Sequence, residues 1–467
     1  MIRRPRGIAA VCVIVAAVAV ALLGPLLTGR PSSGVGWPAG VAPIAAFVSH
    51  DRGLAFTRNV PVHFESDATF DRQLVAEDTS QSPSERASNL RYQEELEALG
   101  LLDGSVNLAR AQTSEDTDDV EGYYDPETKS LFVRGRQLDP QVQVTIAHEL
   151  THALQDQHFG LTRLGNEERT DGETAAITAL EEGDAVLNED DYLSSLPPVE
   201  QRQEAAEEGA GGGGATPGIL DVIAQAPYVL GPDMVEAIYA LSGNEGINAA
   251  FRHPPTTELD ELDATAFVRH LGSVTLRPPP LLAGERRDGP SDDFGAFVLY
   301  MTLASRIDAR SALGAADGWG GGELVQYKTG GTSCLRIDVV GRSSAQTAAI
   351  ALAAGHWATL MAPGQASASA LGSEVRIDAC DPGPSAKAGP HSLDDAMNLA
   401  DERNQNAISA LYDGAAPVVA ACVGDSSLSD SALVSAENAE NPTAAEPSVR
   451  VHALLQRLVS TCAGKHR

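Results

Sequence analysis

The sequence predicts an α+β protein, a mostly helical domain carrying one short strand hairpin, followed by a small α+β C-terminal domain. Three observations predict it. Apolar residues recur at helical spacing over long stretches, as with Val142, Ile146, Leu150, Ala153 and Leu154. Two short strand-forming runs flank "DPETK", which is turn chemistry. The last third reads strand, strand, helix, strand.

At 467 residues the chain is long enough for two or three domains, and 43% hydrophobic residues can bury their cores. With 64 Asp and Glu against 33 Lys and Arg, the net charge is −31. Such a field repels phosphate backbones, so no nucleic-acid partner is expected. "MIRRPR" precedes an uncharged apolar run over residues 7–27, about the length that crosses a bilayer. Residues 1–27 are therefore expected to be a signal anchor, with Arg3, Arg4 and Arg6 cytoplasmic and the bulk exported. Secretion after signal cleavage is the alternative.

Residues 28–50 read as a Pro/Gly/Ser linker, and the first domain as 51–275. Within it, "QSPSERASNLRYQEELEALGLLDG" has helical periodicity ending at Gly104. The hairpin of "EGYY" and "SLFVRG" leads into a helix with Asp139 as N-cap and Pro140 as first residue. A second helix spans about 172–193. The acidic, Gly-rich stretch at about 197–218 reads as a disordered insertion. A further helical segment stops at Pro254 and Pro255. Residues 276–293 read as a second linker and 294–467 as an accessory region. Its Cys334, Cys380, Cys422 and Cys462 suggest two disulfides in an exported chain, with sequential pairing the simplest of three connectivities.

The chemistry concentrates in "TIAHELTHALQDQHFGL", residues 145–161. His148 and His152 are four apart, about 400° of helical rotation, so both face one side about 6 Å apart along the axis. Two such imidazoles can share one Zn²⁺. Glu149 lies about 100° further round, where it can take the proton of a water polarised by the ion. This is the HExxH spacing of zinc proteases. The plain alternative is a core helix whose histidines are simply hydrogen-bonded.

A third protein ligand is required. His158 has the spacing of the last histidine in HExxHxxGxxH enzymes, but Gln155 stands where that pattern needs its turning glycine. On an unbroken helix His158 would lie about 9 Å beyond His152, too far to share the ion. Glu182 in "LEEGDA" is the other candidate, on a face with the small residues Ala175, Thr178, Ala179 and Ala185. Glu181 is adjacent and could compete. Asp156, one turn after His152, is a candidate partner for that ring's free nitrogen. Tyr228 is a candidate oxyanion donor, with Tyr123, Tyr124 and His253 behind it.

"HELTHALQDQHFGL", preceded by "GYYDPETKSLFVRG" and followed by "TALEEGDA", resembles a group of bacterial and archaeal gluzincin-like metallopeptidases. "GPDMVEAIYALSGNEGINAAFRHPPTTEL" resembles that group's later segment. The likeness covers about residues 51–262 and implies a zincin-like domain. It implies one zinc ion on His148, His152 and Glu182, with Glu149 as base. It also implies that strand 130–135 is an edge that pairs with an extended peptide substrate. The expected function is thus an exported, membrane-anchored zinc metallopeptidase acting on peptides or proteins. The alternative is a non-catalytic envelope protein of the same fold that binds a protein or peptide partner.

Overall fold

A computed structural model describes residues 36–78, 83–108, 120–135, 137–165, 169–208, 218–437 and 449–465. The fold is α+β, with many helices and two sheets. The expected anchor over residues 1–27 lies outside the described residues. Among the described residues no helix is long and apolar enough to cross a membrane. The long helices Asp171–Ser195 and Gly231–Arg252 are broken up by charged side chains. This corrects the single-pass membrane placement.

The smaller sheet has the order β1 (Val62–Glu65), β3 (Ser130–Arg134), β2 (Gly122–Asp125). β1 runs parallel to β3, and β2 antiparallel to it. The hairpin turn between β2 and β3 holds Lys129 at φ 58°. β3 is therefore central, not an edge, because β1 takes its outer side. The outer strand beside the HELTH segment is β2.

The HELTH segment lies in helix Pro140–Phe159, hereafter the motif helix. The Asp139 carboxylate accepts the Val142 N–H at 3.0 Å, Pro140 opens the first turn, and Gly160 ends the helix at φ 74°. Its apolar side packs Val142, Ile146, Leu150 and Leu154 against Leu131 and Val133 of β3. Ile44, Ala45 and Val48 of helix Ala42–Asp51 complete that core. The linker expected at 28–50 is thus helical from Ala42, because its apolar residues have a core to enter. Likewise Pro198–Glu208, within the expected insertion, is a helix built of Glu, Gln and Ala, which are strong helix formers. The helix expected to reach Gly104 ends at Ala98, before Gly100 at φ 69°.

Helix Asp171–Ser195, the carboxylate helix, lies against the motif helix on one side and against Gly231–Arg252 on the other. Gly183 and Gly231 meet backbone to backbone: a Cβ on Gly183 would overlap the Gly231 carbonyl, and one on Gly231 would overlap Ala179. Gly183→Ala is expected to destabilise the fold by about 1–3 kcal/mol through overpacking. Denaturant unfolding measures it, and an unchanged midpoint would show that the helices can yield at this point.

The larger sheet has the antiparallel order β4 (Arg286–Asp293), β5 (Trp319–Thr329), β6 (Thr332–Gly341), β8 (Glu374–Cys380), β7 (Ala366–Leu371). Helix Ser344–Leu360 buries Ile350, Ala354 and Trp357 in the core beneath it. β4 corrects the linker expected at 276–293. β5 templates it, and the register breaks between Arg287 and Ser291, where Gly289 and Pro290 sit. The region 294–467 does not stand apart either. Leu96, Leu99, Leu259 and Leu262 share one core with Phe297, Leu299, Leu335 and Ile377. The Arg403 guanidinium also donates to the Leu262 carbonyl at 2.6 Å. The disulfides are Cys334–Cys380, which joins directly paired residues of β6 and β8, and Cys422–Cys462.

Candidate metal centre

The motif helix and the carboxylate helix bring His148, His152 and Glu182 together in the interior, each less than a tenth exposed. His148 Nε2 lies 3.1 Å from Glu182 Oε2 and 3.1 Å from His152 Nε2. His152 Nε2 lies 3.2 Å from the same carboxylate oxygen. Two nitrogens and one oxygen at 2.0–2.2 Å from a tetrahedral zinc ion would lie about 3.3 Å apart, so the triangle has the dimensions of three ligands on one ion.

The hydrogen bonds behind the rings sharpen that fit. His148 Nδ1 lies 2.8 Å from Glu189 Oε2, an acceptor only, so Nδ1 carries a proton. His152 Nδ1 lies 3.0 Å from Gln155 Oε1, again an acceptor. With neutral rings both Nε2 atoms are then lone pairs, and they face a carboxylate oxygen. In that state three lone-pair atoms converge with no donor among them, an arrangement that a cation would complete; without one the rings take up protons instead. Glu182 Oε1 is also buried without a hydrogen-bond partner.

The electrostatics express the same demand for positive charge. Burial alone would lower the His148 imidazole, but hydrogen bonds to Glu182 and Glu189 outweigh it and shift it well upward. Burial opposes the charge on His152 too, yet Glu182 raises it to about 9. Burial would raise Glu182, but His152 and the two ring hydrogen bonds pull it down to about 2. A histidine raised in the folded state, as His152 is, contributes stability that is full below its unfolded value near 6.5 and lost as pH rises through about 9. Chelator-treated protein is therefore expected to melt at progressively lower temperature from pH 6.5 to 9, and added zinc to flatten that slope. Parallel slopes with and without zinc would separate the effect from this centre.

Glu149 follows His148 and is buried as deeply. Its Oε2 accepts the Tyr124 N–H of β2 at 2.7 Å, while Oε1 has no hydrogen-bond partner. Burial raises this carboxyl above its ordinary value, against the pull of His148 and His152. Gly122, also on β2, makes room here: a Cβ there would meet the Thr145 methyl at 3.0 Å.

The other candidates separate clearly. His158 donates Nε2–H to the Ala55 carbonyl at 2.8 Å and stays exposed at the helix end, outside the triangle. The Glu181 carboxyl is outside it too; burial raises it to about 8, and its main-chain carbonyl accepts from Gln155 at 2.9 Å. Asp156 does not hold His152. Its carboxylate accepts from the Tyr124 hydroxyl at 2.8 Å, Lys129 at 3.0 Å and the Leu161 N–H at 3.2 Å. The hairpin and the helix end claim it, and Gln155 takes the imidazole instead. The Tyr228 ring stacks beside His148 with centroids 6.3 Å apart. Tyr123 packs its ring on Phe70 and Phe132, the Tyr124 hydroxyl is held by Asp156, and His253 is exposed beyond its helix.

The chain matches no family model, no curated protein and no solved structure.

Sequence reasoning missed Glu189, Gln155 and Asp184. Glu189 was findable: seven residues after Glu182, it lies on the same helical face. Gln155 is one turn after His152, but only the packed structure shows which way its amide faces.

Proposed function

We propose that this chain is a zinc-dependent metallopeptidase of gluzincin type, with His148, His152 and Glu182 as ligands and Glu149 as general base. One observation carries the reading: three acceptor atoms converge beside a buried carboxylate that keeps one oxygen without a partner. When bound, Zn²⁺ supplies Lewis-acid chemistry towards a water and a substrate carbonyl.

The protein's own groups do the rest. The Tyr124 N–H fixes Glu149 Oε2, so Oε1 is left to take the water's proton and pass it to the departing amine. The raised Glu149 carboxyl brings its affinity for that proton closer to neutral pH. Tyr228, whose ring stacks beside His148, is our candidate to donate to a developing oxyanion. β2 is the outer strand beside the motif helix, and its Tyr124 N–H already points at Glu149. An extended substrate would lie along β2, replacing the role expected of strand 130–135.

The deciding experiment measures zinc content of the purified protein, then cleavage of a mixed peptide library with and without chelator. The expected result is one zinc per chain and cleavage that chelator abolishes and zinc restores. Zinc without cleavage would favour a protein that binds its partner; a chain with no affinity for zinc would overturn the assignment.

A further inference from the structure

Behind His152 the interior holds a chain of polar groups that the proposed chemistry does not require. Arg52, at the C-terminal end of helix Ala42–Asp51, is 1% exposed. Its Nε pairs with Asp184 of the carboxylate helix at 2.8 Å. Its other nitrogens donate to Asn244 at 3.1 Å and Asn248 at 3.3 Å, both on helix Gly231–Arg252. Asp184 Oδ2 accepts the Gln155 amide at 2.9 Å, and that amide nitrogen also donates to the Glu181 carbonyl at 2.9 Å. Arg52, Asp184, Gln155 and Asn248 are all buried, and Asn244 is half-buried.

The logic of donors and acceptors runs one way along this chain. Arg52 can only donate, so Asp184 stays an acceptor. Two acceptors, the Asp184 carboxylate and the Glu181 carbonyl, then require the NH₂ end of Gln155. Its oxygen is thereby turned to His152, where it can only accept. Nδ1 of His152 then keeps its proton, which leaves Nε2, the atom that faces Glu182 and His148, as the nitrogen that can offer a lone pair to a cation. A Gln155 amide free to turn over would offer N–H to Nδ1 and favour the opposite tautomer, whose Nε2 cannot ligate.

We infer that Arg52, Asp184 and Gln155 form a relay of positioning residues that sets the tautomer of His152 and so the metal affinity of the centre. Its metal consequence rests on the reading of His148, His152 and Glu182 as ligands; the tautomer itself does not. The relay also explains why Gln155 stands where third-histidine enzymes carry a turning glycine. Here the helix continues, and that position serves the ring one turn earlier.

The test compares wild-type protein with Gln155→Leu and Gln155→Glu. Leucine removes the acceptor at similar volume. Glutamate keeps an acceptor for Nδ1–H but places a carboxylate against Asp184. Zinc affinity by chelator competition is expected to fall about 10–100-fold in Gln155→Leu, the usual effect of losing an outer partner. In Gln155→Glu it is expected to stay within about threefold of wild type while the unfolding midpoint drops, since like charges now meet in the interior. A purely structural role would move affinity and stability together, so Gln155→Glu binding as poorly as Gln155→Leu would overturn the relay. Wild-type affinity in Gln155→Leu would do the same.

Metal-free protein, selectively ¹⁵N-labelled at histidine and held at a pH where the rings are neutral, gives the second readout. Glu182 also faces Nε2, so the relay is read from the comparison: the Nδ1–H form of His152 is expected to be more populated in wild type than in Gln155→Leu. The same tautomer balance in both proteins would overturn the relay. A wild-type Nδ1–H signal that Gln155→Leu disturbs, in a chain that takes up no zinc, would sustain the relay and refute the metal assignment alone.

Discussion

Glu149→Gln is expected to bind zinc as tightly as the wild-type chain and to cleave peptides about 10²–10⁴-fold more slowly, the usual contribution of a general base. The amide has the shape of the carboxylate and touches none of the three converging atoms, so the ligand set stays intact. The amide oxygen can still accept the Tyr124 N–H that Oε2 accepts in the wild type. What the variant loses is basicity at the oxygen without a partner. The check is kcat/KM on a cleaved peptide, set beside zinc affinity from chelator competition. A variant that cleaves at the wild-type rate would remove Glu149 from the chemistry; one that loses its zinc would make Glu149 part of the centre's framework instead.

Glu182→Gln is expected to lower zinc affinity by more than the about 10–100-fold typical of an outer partner, because a ligand itself is lost. The two histidines would remain, but the anion that draws their lone pairs and the ion together would be gone. Glu181→Gln provides the comparison. The neighbouring carboxyl is buried but outside the triangle, so its neutral amide is expected to keep wild-type zinc affinity. A reversed result, with Glu181→Gln losing the metal, would move the third ligand by one residue and require the carboxylate helix to turn about 100°.

The residues that could be read from sequence share one property: helical phase fixes their relation. His148, Glu149 and His152 have only one geometry on a helix, and Asp139 with Pro140 announces where that helix begins. Glu182 was readable because small residues share its face, and the backbone contact of Gly183 with Gly231 shows how tightly that helix is packed. What could not be read depends on partners distant in sequence. "RRDGPSDD" has the composition of a loop and becomes a strand only because β5 offers it a ladder. β3 reads as an edge until β1 is laid beside it. Asp156 and Gln155 are adjacent, and nothing local decides which of them faces the imidazole. Arg52 carries no motif at all; its role exists only where three helices meet.

That meeting point also bears on how the protein is made. Arg52 lies 132 residues before Asp184 and 196 before Asn248. Contacts so remote in the chain close late, since the entropy of long loops is spent before any contact repays it. The ligand triangle itself spans only 34 residues, from His148 to Glu182. An early chain with these two helices paired already has all three ligand residues, but it lacks the buried guanidinium that holds Asp184 in place. If the triangle holds a metal as proposed, tight capture would belong to the end of folding, and a loaded molecule would be one whose distant parts have already found each other.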